Sequence, residues 1–175
     1  MGSLRFWQAV VQDKSDFLPR VTSMLEESGV RYCVIGGFGV NAYSDSFMVT
    51  EDLDIIVAVG DLERVRELFE AQFRVREFEH SLNVYDPDSK MQVQVQLHPD
   101  VPGAETRAQR RMVSELSLPV AAPSDLLKLK VAAALEPRRR ASKRQKDLAD
   151  IQRLIEAFPD LRAELPSEVI ERLFP

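Results

Sequence analysis

A single cysteine, Cys33, stands in 175 residues, which excludes an internal disulfide framework and a cysteine-rich zinc site. No apolar run approaches the roughly 18 residues that a membrane-spanning helix needs. The first residues, Met1-Gly2-Ser3-Leu4-Arg5-Phe6-Trp7, lack the basic segment and apolar core of a secretory signal. Positive charge is also short: 23 Lys and Arg against 28 Asp and Glu give −5, which argues against a bulk polycation for nucleic acid. Internal repeats and low-complexity linkers are missing. What remains, 45% hydrophobic and 29% charged residues, is ordinary globular usage and excludes disordered, collagen-like and mucin-like chains. The expectation is a soluble, cytoplasmic protein of one core, or one core with a small helical addition.

The hydrophobic period changes along the chain. Phe17, Val21, Met24 and Leu25 share one helical face, and Gly29 stands where a C-cap would. Tyr32-Cys33-Val34-Ile35 reads as a buried strand running into Gly36-Gly37, and residues 38–44 as a short helix. Leu53 to Val59 reads as a strong strand ended by Gly60, with Asp61 as N-cap of a helix carrying Leu62, Val65, Leu68 and Phe69. Phe73 to Phe78 and Leu82 to Tyr85 read as strands, the second closed by the turn Asp86-Pro87-Asp88-Ser89. Met91 to Leu97 alternates apolar residues with glutamine, one face core and one polar. From Pro123 the pattern turns helical, with helices from Ser124-Asp125 to Pro137, from Lys143 to Phe158 and from Ser167 to Phe174. This organisation divides the chain into an α/β core with N-terminal helices over residues 1–120 and a helical segment over 121–175, packed as one unit.

The chemistry concentrates between residues 32 and 57. A strand ending in Gly36-Gly37 brings a backbone turn close to something a side chain would block. Amides opening the following helix are placed to receive an anion such as phosphate. In Asp52-Leu53-Asp54 the two carboxylates lie two apart on a strand and so project to one face. They repel each other, and a divalent cation is the natural way to hold them together; magnesium prefers one or two carboxylates plus phosphate oxygens. The ordered combination of strand, diglycine, short helix, Thr50-x-Asp52-x-Asp54 and strand suggests nucleoside triphosphate chemistry.

Val34-Ile35-Gly36-Gly37-Phe38-Gly39-Val40-Asn41-Ala42-Tyr43, followed by Thr50-Glu51-Asp52-Leu53-Asp54-Ile55, resembles the signature of the DNA polymerase beta-type nucleotidyltransferase superfamily. The likeness is greatest to the small branch of abortive-infection toxin-like nucleotidyltransferases. It extends to Pro123-Ser124-Asp125-Leu126-Leu127-x-Leu129-Lys130 and Lys146-Asp147-Leu148-x-Asp150-Ile151, covering roughly residues 20–158. The resemblance implies a nucleotidyltransferase fold: a mixed α/β sheet flanked by helices, with a helical C-terminal segment. It implies transfer of a nucleoside monophosphate from a nucleoside triphosphate to a hydroxyl of RNA, protein or a small molecule. Asp52 and Asp54 would be catalytic and hold Mg2+ (or Mn2+), and Gly36, Gly37, Thr50, Lys130 and Lys146 would bind the nucleotide.

The sequence departs from that pattern at Met48, where several members of the branch carry Arg, and around Ser44-Asp45, where a glycine is common. A later strand usually supplies a third metal carboxylate. Here that strand reads Gln92-Val93-Gln94-Val95-Gln96-Leu97, so Gln94 or Gln96 takes the third position. An amide coordinates weakly through its carbonyl and cannot act as a base. Asp86, Asp88, Asp100 and His98 are the substitutes at hand, and the glutamines read equally well as the wet face of an edge strand. The run Arg138 to Lys146 reads either as a phosphate-binding cluster or as a solvated loop. Lys146 with Asp150 fits an i,i+4 surface pair; Cys33 reads as core, and His80 and His98 are isolated. Two functions therefore stand side by side: an active nucleotidyltransferase, and a catalytically deficient relative acting as a nucleotide-binding or protein-interaction partner.

Overall fold

The structure is a computed structural model, and it describes residues 15–97, 100–113 and 115–174. Helix α1 (Phe17–Ser28) buries Phe17, Leu18, Val21 and Leu25 and ends at Gly29, whose φ of 69° is the left-handed C-cap expected of glycine there. Strand β1 (Tyr32–Val34) is buried at every position. Helix α2 (Gly36–Asn41) begins on the first glycine itself rather than after the pair, so the diglycine forms its first turn. Strand β2 (Asp52–Val57) alternates half-buried Asp52 and Asp54 with fully buried Leu53 and Ile55.

A short 3-10 turn, Val59–Asp61, leads into α3 (Leu62–Glu70). Asp61 stands at the N-cap position but makes no side-chain capping bond. Strands β3 (Arg74–Glu77), β4 (Ser81–Tyr85) and β5 (Gln92–Gln96) follow as an antiparallel meander. Strands β6 (Gln109–Val113) and β7 (Leu116–Val120) then form a hairpin about Glu115, which carries a φ of 77°. The helical part comprises α4 (Pro123–Leu135), opened by proline at its first turn, α5 (Ala141–Ala157) and α6 (Ser167–Leu173).

The seven strands form one mixed sheet in the order β3-β4-β5-β2-β1-β7-β6. Strand β2 runs parallel to β5, β1 runs parallel to β7, and β1 pairs antiparallel with β2. This is the mixed α/β sheet flanked by helices that the sequence led us to expect. One hydrophobic cluster runs from Phe17 through Leu53, Ile55, Val93 and Val95 to Leu126, Leu127 and Ile151, joining sheet and C-terminal helices.

Two points differ from the sequence reading. The glutamine strand is not an edge: β5 lies between β4 and β2, paired on both sides. The β6–β7 hairpin went unread, because Arg110-Arg111-Met112 shows no alternation and Pro119 breaks the strand signal of β7. Pro119 is tolerated because β7 meets β1 over a single residue pair, Val34 with Val120.

Candidate active site

The parallel pairing of β2 with β5 sets the floor of the site. Its register places Asp52 beside Gln92, Asp54 beside Gln94 and Ile56 beside Gln96. Gln92 Nε2 donates to Asp52 Oδ1 at 2.7 Å, and its Oε1 lies 3.5 Å from Asn83 Nδ2 on β4. Asp54 is left short of compensation. Burial pushes its carboxyl up to about 6; the Asp52 charge adds to that rise, while Lys130, Arg139 and a hydrogen bond from Gln96 oppose it.

The diglycine turn closes onto this carboxylate. Gly36 sits at φ 64°, and a Cβ there would lie 2.2 Å from Asp54 Oδ2. A Cβ on Gly37 would lie 3.3 Å from the Thr50 Cβ, so both glycines permit a close approach to the strand bearing the acids. Gly39 plays a similar part toward the helical wall, where an added Cβ would meet Leu126 Cδ2 at 2.8 Å. The backbone ties the turn down as well, Ile35 N donating to Asp54 O at 2.9 Å.

Across from the sheet, α4 and α5 supply the opposite wall. Leu126, Leu129, Lys130 and Ala133 lie on one face of α4 and border a cleft of about 350 Å³. Asp52, Asp54, Gly36, Gly37 and Thr50 border the same cleft, as do Gln94, Gln96, Lys130 and Lys146. All nine residues singled out in the sequence therefore meet at one hollow. Lys130 Nζ contacts Asp147 Oδ1 at 3.0 Å and Asp150 Oδ2 at 2.6 Å, and these two carboxylates hold its pKa up against burial, which lowers it. Arg139 Nε pairs with the other oxygen of Asp147 at 2.7 Å. Lys146 Nζ lies 3.4 Å from the Val49 carbonyl.

Several expectations are corrected by these placements. Lys146 and Asp150 are not a surface pair: Asp150 is fully enclosed and binds Lys130 and Arg153. The basic run is not a uniformly solvated loop, since Arg139, Lys143 and Lys146 border the cleft. Asp86 is engaged by Arg20 at 2.9 Å and does not border the cleft, whereas Asp100 does. His98 lies outside the described residues. His80 is exposed beside Glu79, and Cys33 is a fully buried core residue whose thiol is pushed up to about 12, chiefly by burial. Among the described residues, no group of three His, Cys, Asp or Glu side chains is placed to hold a metal ion.

The sequence reading named Arg139 only as part of the basic run and gave Asp147 and Gly39 no place in the site. The available signal was spacing: Asp147 stands four and seven residues before Ile151 and Leu154, on the apolar face of its helix, where a carboxylate needs a cation to meet it.

A sheet of this order, with a carboxylate pair beside a glycine turn and helices across the cleft, defines a nucleotidyltransferase fold. Solved structures agree. The antibiotic-resistance factor ANT(2″)-Ia in complex with adenylyl-2″-tobramycin superimposes at TM-score 0.61 and 11% identity, over 90% of this chain and 92% of that one. The lincomycin-bound lincosamide antibiotic adenylyltransferase LnuA gives 0.55 at 12% identity, over 81% and 98%. An antigenic nucleotidyltransferase-like protein from Paracoccidioides brasiliensis gives 0.51 at 16%, over 97% and 94%. More particularly, residues 48–175 match the family model described as "Nucleotidyl transferase AbiEii toxin, Type IV TA system", and the chain belongs to that family. A search of the curated proteins finds no match. The family match begins after the diglycine turn, so the joining of turn and carboxylates is a finding of the geometry.

Proposed function

We propose that the protein moves a nucleoside monophosphate from a nucleoside triphosphate to an acceptor hydroxyl on RNA, protein or a small molecule, with Mg2+ (or Mn2+) held by Asp52 and Asp54. The observation that carries this reading is the contact of Gly36 with Asp54, which sets the diglycine turn against a carboxylate pair in one cleft. Two mutually repelling carboxylates, one with its pKa pushed to about 6, suit a hard divalent cation. Such a cation takes one or two carboxylates and fills its remaining positions with phosphate oxygens. When bound, it would supply charge neutralisation at the triphosphate.

The chain's own residues do the rest. Gly36 and Gly37 let the turn lie against Asp54 and Thr50, and both border the cleft in which the triphosphate would sit. Lys130 and Lys146 act as point charges on the triphosphate from the opposite wall. Leu126, Leu129 and Ala133 give the cleft an apolar patch against which the nucleoside would lie. The family supports a toxin role within a type IV toxin–antitoxin pair.

The test is incubation with each labelled triphosphate and magnesium, in the presence of total RNA or total protein. Label transfer lost in Asp52→Asn is the expected result. A second reading is favoured by Gln94 beside Asp54 and by the Gln92 amide on Asp52: a nucleotide-binding partner without transfer. A rise in Tm with triphosphate and magnesium, absent in Asp54→Ala, but with no label transfer, would select it. No Tm shift with any of the four triphosphates would reject both.

A further inference from the structure

Arg153, seven residues after Lys146 on α5, is 6% exposed, and its guanidinium is shared between two parts of the fold. Nη1 donates to Asp150 Oδ1 at 2.8 Å. Nη2 donates to Asn41 Oδ1 at 2.6 Å and to the Ser46 carbonyl, and Nε donates to Ser46 Oγ at 3.1 Å. Asn41 in turn closes a two-bond ring with Met48: its Nδ2 donates to Met48 O at 2.8 Å, and Met48 N donates to its Oδ1 at 3.1 Å. The segment held this way, residues 42–51, is the one that delivers Thr50 and then Asp52 to the cleft.

The other end of the guanidinium governs charge. Asp150 is fully enclosed, and among the described residues its Oδ2 is met only by Lys130 Nζ. Lys130, Arg139 and Arg153 face two carboxylates, Asp147 and Asp150. The third cation leaves a surplus positive charge on this wall. Without Arg153, Asp150 would have Lys130 alone, and the ammonium that borders the cleft would be taken up in neutralising a buried carboxylate.

We infer that Arg153 is a positioning residue of the nucleotide site: it fixes the segment that carries Thr50 and Asp52, and by neutralising Asp150 it leaves the Lys130 charge available to a polyphosphate. This deepens the reading of the cleft as a triphosphate site and rests on it. The residue touches no substrate in this scheme; it acts through Asn41, Ser46 and Asp150. A guanidinium suits the task because its planar fork reaches four acceptors on three residues, which an ammonium does not.

The test uses the full chain as wild type, Arg153→Gln, Arg153→Lys and the double variant Arg153→Gln/Asp150→Asn. Equilibrium binding of nucleoside triphosphate with magnesium, and of inorganic tripolyphosphate alone, is measured beside amide hydrogen exchange over residues 42–51. The expected result is that Arg153→Gln weakens tripolyphosphate binding about tenfold and that Asp150→Asn in the same chain restores it. Exchange at the Met48 amide should be faster than in wild type in both, because the neutral double variant frees Lys130 without rebuilding the strut. Arg153→Lys should keep the charge effect while exchange still quickens. Unchanged affinity in Arg153→Gln, or a loss that Asp150→Asn does not restore, overturns the charge role. Unchanged exchange at Met48 overturns the positioning role. If the wild-type chain binds no polyphosphate at all, the reading of the cleft fails, and the exchange measurement still decides whether Arg153 holds the segment.

Discussion

The two walls of the cleft treat their carboxylates in opposite ways. On the sheet wall, Asp52 and Asp54 face amides: Gln92 donates to Asp52, Gln96 to Asp54, and Gln94 stands alongside. On the helical wall, Asp147 and Asp150 face cations at 2.6–3.0 Å, supplied by Lys130, Arg139 and Arg153. Amides solvate a carboxylate without neutralising it, and Lys130 and Arg139 offset only part of the Asp54 shift, so the sheet wall keeps a negative charge that favours a proton or a cation. On the helical wall the carboxylates are already neutralised, and their ion pairs hold the cations in place before any ligand arrives. One wall is built to receive and the other to hold.

That contrast gives the same isosteric change opposite signs on the two walls. Asp150→Asn removes the partner of two buried cations and is expected to cost about 3–5 kcal/mol, read by urea unfolding. Gly36→Ala comes next. Its φ of 64° and a Cβ 2.2 Å from Asp54 Oδ2 force the turn away from the carboxylate; about 1–3 kcal/mol is expected from the strained backbone and the displaced side chain. The same variant should lose the Tm rise with triphosphate and magnesium. A Gly36→Ala protein with wild-type stability would show that the turn can move away from Asp54 at no cost, and would weaken the sheet-wall account.

Asp54→Asn, by contrast, is expected to stabilise the unliganded protein, by about 1–2 kcal/mol near neutral pH. The sign follows from the raised pKa, about 6 against an ordinary 3.8. Between those values the folded chain binds the proton more tightly than the unfolded one, so stability contributed by protonated Asp54 is fully present below about 3.8 and is lost as pH rises through about 6. The gain from Asp54→Asn should therefore grow between pH 4 and pH 6.5 and then level off. Denaturation midpoints for both proteins across that range check it, and a gain independent of pH would place the strain elsewhere than on the Asp54 charge.

How much of this was readable in the residues divides along the same line. The sheet wall was legible because its chemistry is local. Gly36-Gly37 and Asp52-x-Asp54 lie within 19 residues, and the period of a strand alone puts both acids on one face. The glutamine alternation was legible as a pattern but not as a place, since sequence cannot say which strand is an edge; β5 became interior only through its parallel pairing with β2. The helical wall was half legible. Lys130 and Lys146 were singled out, yet the partners of Lys130 lie 17 and 20 residues on, and pairing them requires the packing of α4 against α5. Arg153 is the extreme case, meeting Asn41 across 112 residues. Long-range ion pairs leave no periodic trace, so only the helical spacing of Asp147 and Asp150 with apolar Ile151 and Leu154 hinted at them.

Lys146 offers the finest division between holding and receiving. It stands on the helical wall, but its ammonium makes one long contact, 3.4 Å to the Val49 carbonyl, and forms none of the wall's ion pairs. By position it belongs with the satisfied charges, and by chemistry with the groups waiting for a ligand. Lys146→Ala should therefore leave unfolding stability within about 0.5 kcal/mol of wild type, while weakening triphosphate binding by less than about tenfold, as one exposed point charge on phosphate would. Tripolyphosphate should show the same loss as the nucleotide, since the contact is to charge and not to base. A stability loss comparable to that of Asp150→Asn would move Lys146 into the holding network and erase the distinction between the walls at that point.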